Sequence, residues 1–277
     1  MDLQDVRPKS QAELLFDAQL RRDRQFRANV AITWIVLLLI LALVFSGGKN
    51  LPFGIGGIKL DSAFIAENWS FIASGITSTI GISILSIVLA TLLALLAALG
   101  RLSRFPPFFA VSTFYVSLIR GTPLYLQIFF FFLALPQLGI ILPGLWAGVF
   151  ALGLNYGAYM SEIFRAGLAA VGKGQREAAM ALGMTGRQTM LRIILPQALR
   201  FAIPPTGNEF IAMTKDSALV SATGFVHELM WRATKVGRAH FRNLEALIIA
   251  AVFYWIMTLI LTALQSRLES KMSRGER

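Results

Sequence analysis

Two ionisable side chains stand where this sequence is otherwise apolar. Arg120 follows "VSTFYVSLI" and precedes Gly121-Thr122-Pro123, and Glu209 sits in "FAIPPTGNEFIAM" (201–213), just after Pro204, Pro205, Gly207 and Asn208. At bilayer depth such groups cost about 2.5–3.5 kcal/mol on insertion scales, so they face protein or water rather than lipid. The chemistry open to them is recognition: an arginine for a carboxylate, an acid for an ammonium. Asn155, Tyr156 and Tyr159 recur at helical spacing in another apolar stretch, and Gln127 lies just past the Gly-Thr-Pro break. These add neutral donors and acceptors for polar side chains. A second reading has Arg120 and Glu209 pairing with each other or reaching an interface. Glu162 and Arg165, spaced i, i+3, read as an interfacial ion pair.

Catalysis finds little support. "GLAAVGKG" (167–174) has the G-x-x-x-x-G-K spacing of a phosphate loop, but Gly174 stands where a Ser or Thr would hold magnesium. It also ends an apolar helix rather than following a strand, so it reads as a helix end with Gly172 and Gly174 forming the turn. No nucleophile triad, H-E-x-x-H helix or acid/base pair is visible, so no catalytic residue is expected. With no cysteine and two histidines, neither a disulfide framework nor a metal site is expected.

The elements that must position these groups are membrane helices. The chain has 277 residues, 56% hydrophobic and 15% charged, with a mean hydropathy of +0.64. That composition belongs to polytopic membrane proteins. A net charge of +11 then records basic loops near anionic headgroups, and nucleic acid is not an expected partner. A hydrocarbon core needs about 20 apolar residues per helix. Six candidate spans follow: about 31–47, 71–99, 111–135 (broken at "RGTP"), 144–170, a weak 197–214, and 245–265. With the N-terminus inside, the inner segments carry 18 Lys and Arg and the outer segments 7. Both termini are therefore expected in the cytoplasm. Residues 1–30 read as a basic cytoplasmic leader, amphipathic on the inner leaflet or simply solvated. The leader is too long and lacks the cleavage site of a signal peptide.

One polar stretch between spans needs its own account: "EAAMALGMTGRQTMLRIILP" (177–196). A helix over 175–182 would carry Glu177 in its first turn, where the dipole favours an anion. Ala178, Ala179 and Ala181 are small enough for close approach. Gly183 supplies a stop. Thr185 can cap a second helix over 186–194 bearing Met190, Leu191 and Ile194, and Pro196 is tolerated near the start of the next. By physics alone this fits an ordinary amphipathic loop as well as a docking surface.

The same stretch, however, resembles the coupling loop of ABC importer permeases at every fixed position of E-A-A-x3-G-x9-I-x-L-P. "RGTPLYLQIFFF" (120–131), "AYMSEIFRAGLAAVGKGQREAAMALG" (158–183) and "PQALRFAIPPTGNEFIAMTKDSALVS" (196–221) are similar to the polar amino acid branch of that family. The resemblance spans about 65–270, and 31–47 reads as an added N-terminal helix. It implies an all-α, polytopic permease with six transmembrane helices, half of a dimeric pore in a bacterial inner membrane, formed with itself or a similar permease. It implies a coupling loop, 172–196, that docks on separate ATPase subunits, with contacts expected from Gln175, Glu177, Ala178, Ala179, Leu182, Gly183, Met190, Ile193 and Pro196. ATP and magnesium would bind those ATPases, and this chain would hold no cofactor and be no enzyme. A periplasmic or lipid-anchored solute-binding protein would deliver polar amino acids to an outer gate near Lys215, Asp216, Ser217 and Ser221. The expected pathway residues are Arg120, Gln127, Asn155, Tyr156, Tyr159, Asn208 and Glu209. Membrane lipids complete the expected partners. The rival reading is a secondary transporter or channel for small polar solutes. The outer segment 213–244 is read equally as a docking face or as an amphipathic surface helix.

Overall fold

The computed structural model describes residues 11–44 and 60–273, all helix and connecting turns without a strand among them. It divides into two units, 1–62 and 63–277. The first holds one helix, α1 (Gln11–Val44, 34 residues). It runs unbroken through residue 30, where the sequence suggested a separate leader and span, because no Gly or Pro interrupts it. Its described side chains are exposed nearly throughout. Residues 45–59, the end of the expected span 31–47 and the start of the segment after it, lie outside the described residues, as do the chain's two ends.

The second unit contains α2 (Ser62–Ala73), α3 (Ile76–Leu102), α4 (Pro106–Arg120), α5 (Leu124–Phe129), α6 (Gly144–Ala170), α7 (Lys173–Ala181), α8 (Gly186–Thr189), α9 (Leu195–Asp216), α10 (Leu229–Ala239) and α11 (Asn243–Ser273). Among the described residues three helical stretches are long and apolar enough to cross a bilayer: 16–42, 62–102 and 243–271. The α4–α5 pair, bent by 104°, adds a fourth if it is one broken span. The expected spans at 144–170 and 197–214 do form helices, α6 and α9, but not ones apolar enough to qualify by composition. Gly, Asn155 and two Tyr dilute α6, and Pro204, Pro205, Asn208 and Glu209 dilute α9. Of the two, α6 is largely an inner helix shielded by its neighbours, while α9 is only partly covered.

The main core is the packing of α3 on α6, joined by α9 and α5. The buried face of α3 runs Thr79, Ser83, Ser86, Ala90, Ala94 and Ala97, steps of three and four that mark one helical stripe. All six are small. On α6 the small residues Ala151, Gly153, Gly157, Ala158 and Ser161 are buried, with Gly153 and Gly157 against α3. Lipid tails give apolar residues no reason to hide, so membrane helices associate by close backbone approach at such small residues. A Cβ on Gly153 would lie 2.6 Å from Leu89, and one on Gly157 3.0 Å from Leu93 and 2.7 Å from the Tyr115 hydroxyl. The outward face of α3 is aliphatic and exposed: Leu85, Val88, Leu92, Leu96 and Leu99. Ser83 and Thr91 return their hydroxyls to carbonyls four residues back, as polar side chains do in lipid.

A second core joins α2, α10 and α11 around Phe64, Ile72, Leu229, Ala233, Ala246 and Ile249. At the α2–α3 junction a Cβ on Gly75 would lie 2.6 Å from the Leu229 Cα, so α10 rests directly on that backbone. Glu228, fully buried, caps α10 by accepting from the Met230 and Trp231 N–H groups and from the Tyr254 hydroxyl of α11. The segment 213–244 thus contains a helix with one face packed on this core, as one of the two sequence readings had it.

Candidate functional site

The site begins where α4 stops. Arg120 is its last residue; Gly121 and Thr122 turn the chain, and Pro123 precedes α5. Pro cannot donate to the preceding turn and pushes the residue before it out of helical conformation. The carbonyls at the end of α4 then need donors. Gln127 supplies them: its amide nitrogen donates to the Ile119 carbonyl (2.8 Å), the Thr122 carbonyl (3.1 Å) and the Thr122 hydroxyl (2.9 Å). Its oxygen accepts from Asn155 Nδ2 of α6 at 3.2 Å. A broken helix is tolerated at membrane depth when such partners close it. Gln127 therefore holds the break together; it does not line the cavity.

Beside the break lies a cavity of about 600 Å³ bounded by residues 120–124, Asn155, Tyr156, Tyr159, Glu209 and Asp216, within the size range of small-molecule sites. Arg120 reaches across it with its guanidinium carbon 5.0 Å from the centre of the Tyr159 ring, a cation–π distance. Its Nη1 lies 3.3 Å from Glu162 Oε1. Glu162 is more than the expected i, i+3 partner of Arg165 (2.9 Å): it also binds Arg101 at the end of α3. One carboxylate thus serves three guanidinium groups, which leaves Arg120 with capacity for a further carboxylate. The suggested Arg120–Glu209 pair does not form.

On the α9 side, Tyr156 Oη donates to Asp216 Oδ2 at 2.8 Å. Glu209, half-buried, makes no hydrogen bond or ion pair among the described residues. Asn155 is 7% exposed; its nitrogen is used on Gln127, and its Oδ1 accepts nothing. Of the residues expected to line a pathway, Arg120, Asn155, Tyr156, Tyr159 and Glu209 meet here. Asn208 does not: one position along a helix is a turn of about 100°, and its Oδ1 accepts instead from Gln265 of α11 at 3.1 Å. Asp216, placed by sequence at an outer gate, lines this cavity. Its companions do not: Lys215 is exposed, Ser217 is buried and donates to the Thr214 carbonyl (2.8 Å), and Ser221 is half-buried in the following turn. The roles of Glu162, Arg101 and Asp216 escaped the sequence because they depend on contacts between distant segments.

At the far end of α9 is the polar stretch 172–196. α7 starts at Lys173, two residues earlier than expected, so Glu177 lies mid-helix rather than in the first turn. Gly174 is inside α7 and only Gly172 belongs to the preceding turn. Gly183 takes φ +72°, the left-handed stop expected of it. Thr185 caps α8 in a reciprocal capping box with Gln188. The second helix is then not free-standing: a π-helical turn, Met190–Ile194, carries α8 directly into α9, and Pro196 falls in that helix's first turn, where its missing N–H costs least. Gln175, Glu177, Ala178, Leu182, Gly183 and Pro196 are exposed; Ala179 is buried, and Met190 and Ile193 are half-buried. Leu182 is 81% exposed, a large apolar side chain held out on a turn. Beneath it, Leu168, Val171, Ile194 and Ala198 form a small core.

Among the described residues no three His, Cys, Asp or Glu side chains converge as metal ligands.

A helix pair broken beside a charged cavity, in a polytopic helical membrane domain, defines a membrane transport component. The chain belongs to the family of binding-protein-dependent transport system inner membrane components, whose pattern matches residues 90–274. It is similar to the arginine transport system permease protein ArtQ of Bacillus subtilis (strain 168), 40% identical over 220 residues that cover 79% of this chain and 100% of that one. It is similar also to the L-cystine transport system permease protein TcyB of the same organism, 41% identical over 231 residues, 82% of this chain and 97% of that one. Among solved structures, an amino acid ABC transporter crystallised with histidines superposes with a TM-score of 0.73 at 38% identity, covering 77% of this chain and 99% of that one. The MetNI methionine ABC transporter, at 16% identity and a TM-score of 0.64, shares the fold.

Proposed function

We propose that this chain is the permease subunit of an ATP-driven importer of polar amino acids, and that the cavity beside Arg120 is on the solute's route. In this reading the exposed stretch 172–196 docks on separate ATPase subunits, which carry ATP and magnesium. A solute-binding protein delivers from outside, and two permease subunits form the pore. Six helices cross a bacterial inner membrane with both termini in the cytoplasm. The relatives are named for arginine, cystine and other amino acids, which supports that solute class.

The observation that carries the reading is the span of α9. One helix of 22 residues, about 33 Å long, begins in the exposed stretch and ends at Glu209 and Asp216 in the cavity. A partner that moves the first end acts on the second through one continuous helix. A secondary transporter would have no use for an exposed apolar residue such as Leu182, in the turn after α7 that leads towards that helix.

Reconstitution tests this. The chain, co-expressed with its ATPase subunits, is expected to purify with them. In vesicles it should show ATP hydrolysis that rises when binding protein and amino acid are added together. Amino acid uptake that proceeds without ATPase subunits would overturn the reading in favour of a secondary transporter.

A further inference from the structure

We infer that the outward face of α10 rests on the headgroups of anionic phospholipids, with Lys235 and Arg238 as the phosphate-binding cations. α10 turns Leu229, Ala233, Val236 and Gly237 inward, onto the second core. Its opposite side carries His227, Trp231, Lys235 and Arg238, in steps of three and four that mark one helical stripe. His227 and Trp231 stack with ring centres 3.9 Å apart, and Lys235 Nζ lies 4.8 Å from the centre of the Trp231 ring. The stripe is thus a ladder of aromatic rings leading to cations. The acids of this segment are turned away from it. Glu228 is buried on the first amides of α10, and Glu245 is buried with Arg242 at 3.6 Å. Lys235 and Arg238, both exposed, have no acid partner among the described residues.

The neighbouring helices place this ladder at a bilayer boundary. α10 runs antiparallel to the first half of α11. At its start Glu228 accepts from the Tyr254 hydroxyl at 2.7 Å. Near its end a Cβ on Gly237 would lie 2.9 Å from Asn243 and 3.1 Å from Ala246. α11 is apolar enough to cross a bilayer from residue 243, so the start of α10 is its deeper end and Arg238 lies close to where the span emerges. The rise from Trp231 to Arg238 is about 10 Å, comparable with the headgroup layer on one side of a bilayer. A ring below and cations above is the order of groups at a membrane interface, where indoles sit at the boundary and Lys and Arg reach outward. α2 lies alongside, with Phe71 5.0 Å from the Arg232 guanidinium and Phe64 5.7 Å from the His240 ring. Its Trp69, 51% exposed, adds a second indole. α11 itself exposes Leu244, Leu247, Trp255 and Leu259, as a lipid-facing helix does. A zwitterionic headgroup carries its own ammonium; an anionic one brings net charge to match Lys235 and Arg238.

The test uses the chain as purified from membranes with its partner subunits, in nanodiscs containing a trace of photoactivatable phosphatidylglycerol or of phosphatidylcholine with the same acyl chains. After illumination the labelled peptides are mapped by mass spectrometry. In the wild type, peptides of α10 should take up at least about fivefold more of the anionic lipid than of the zwitterionic one. Lys235→Gln and Arg238→Gln should each lower the anionic label there about fivefold, the share of one cation near an anionic surface. The label on the basic segment of α1 should not change, which makes it the internal reference. Lys235→Arg combined with Arg238→Lys keeps both charges and should label as the wild type does. All three changes fall at exposed positions, so the detergent peak should stay monodisperse. Equal labelling of α10 by the two lipids in the wild type, or unchanged labelling in both glutamine variants, overturns the proposal. If those variants instead lose affinity for a solute-binding protein while the lipid label is unchanged, the face belongs to a protein partner and the proposal falls.

Discussion

Gln127 shows how much one side chain can hold. Its amide meets two backbone carbonyls, a hydroxyl and the Asn155 amide at the break between α4 and α5. Gln127→Leu keeps the volume and removes all four contacts. Each buried group left unsatisfied costs about 1–3 kcal/mol, so the purified variant is expected to lose on the order of 2 kcal/mol of stability or more, read as a lower melting temperature. An unchanged melting temperature would show that the break is held by packing alone. At this scale the sequence was a fair guide to type and a poor guide to direction. Arg120, Tyr159 and Glu209 were legible because charge and amphipathic side chains are costly in an apolar stretch. Asn208 and Asp216 were not, because facing is set by helix rotation, and the prolines at 204 and 205 leave no clean apolar stripe from which to read it. The hub at Glu162 was half legible: Arg165 is a neighbour in sequence, while Arg101 and Arg120 arrive from other helices.

The helices were easier to foresee than their joints. The spans at 144–170, 197–214 and 245–265 each fall within one observed helix, and 71–99 crosses the α2–α3 junction at residues 74–75. The unforeseen features are the long α1, the start of α7 at Lys173 and the π-helical turns at Phe130–Ala134 and Met190–Ile194. A π turn is one inserted residue in a hydrogen-bond ladder and leaves no compositional trace. The exposed stretch 172–196, proposed to dock on the ATPase subunits, supports a prediction of its own. Glu177→Arg reverses a charge exposed mid-helix. Gly183→Trp forces a bulky side chain into a left-handed conformation, φ +72°, in open space. Neither touches the α3–α6 core, so membrane levels should stay normal. A docking surface this small relies on a few contacts, and each change is expected to weaken ATPase co-purification by about 2–4 kcal/mol and to abolish ATP-dependent uptake. Full retention of both by both variants would reduce the stretch to a connector. By contrast, Gly157→Leu should fail earlier. A side chain there meets Leu93 and Tyr115 within 3.0 Å, so the expected outcome is loss of the folded protein, read as loss of the monodisperse peak in detergent.

Taken whole, the molecule is a helical membrane domain, and its class was plain from composition before any motif. Orientation is a separate matter, resting on the distribution of Lys and Arg, 18 against 7. It predicts that a cysteine replacing Gly174, exposed in α7, is labelled only from the cytoplasm, and one replacing Gln137 only from outside. The natural chain has no cysteine, so no background signal competes. Labelling of position 174 by an impermeant reagent in intact cells would invert the topology.

The reach of α9 has a mechanical consequence. A rod about 33 Å long that tilts by about 10° about one end carries the other through about 6 Å, more than the width of a carboxylate. The rod is not uniform. Pro204 and Pro205 lack the N–H groups that would tie them to the preceding turn, and this weak point falls between the exposed stretch and the acids. A joint midway along a lever absorbs part of the push, so the movement that reaches the far end depends on the stiffness of the joint. If a partner drives α9 as proposed, the two prolines decide how much of its movement arrives at the acids.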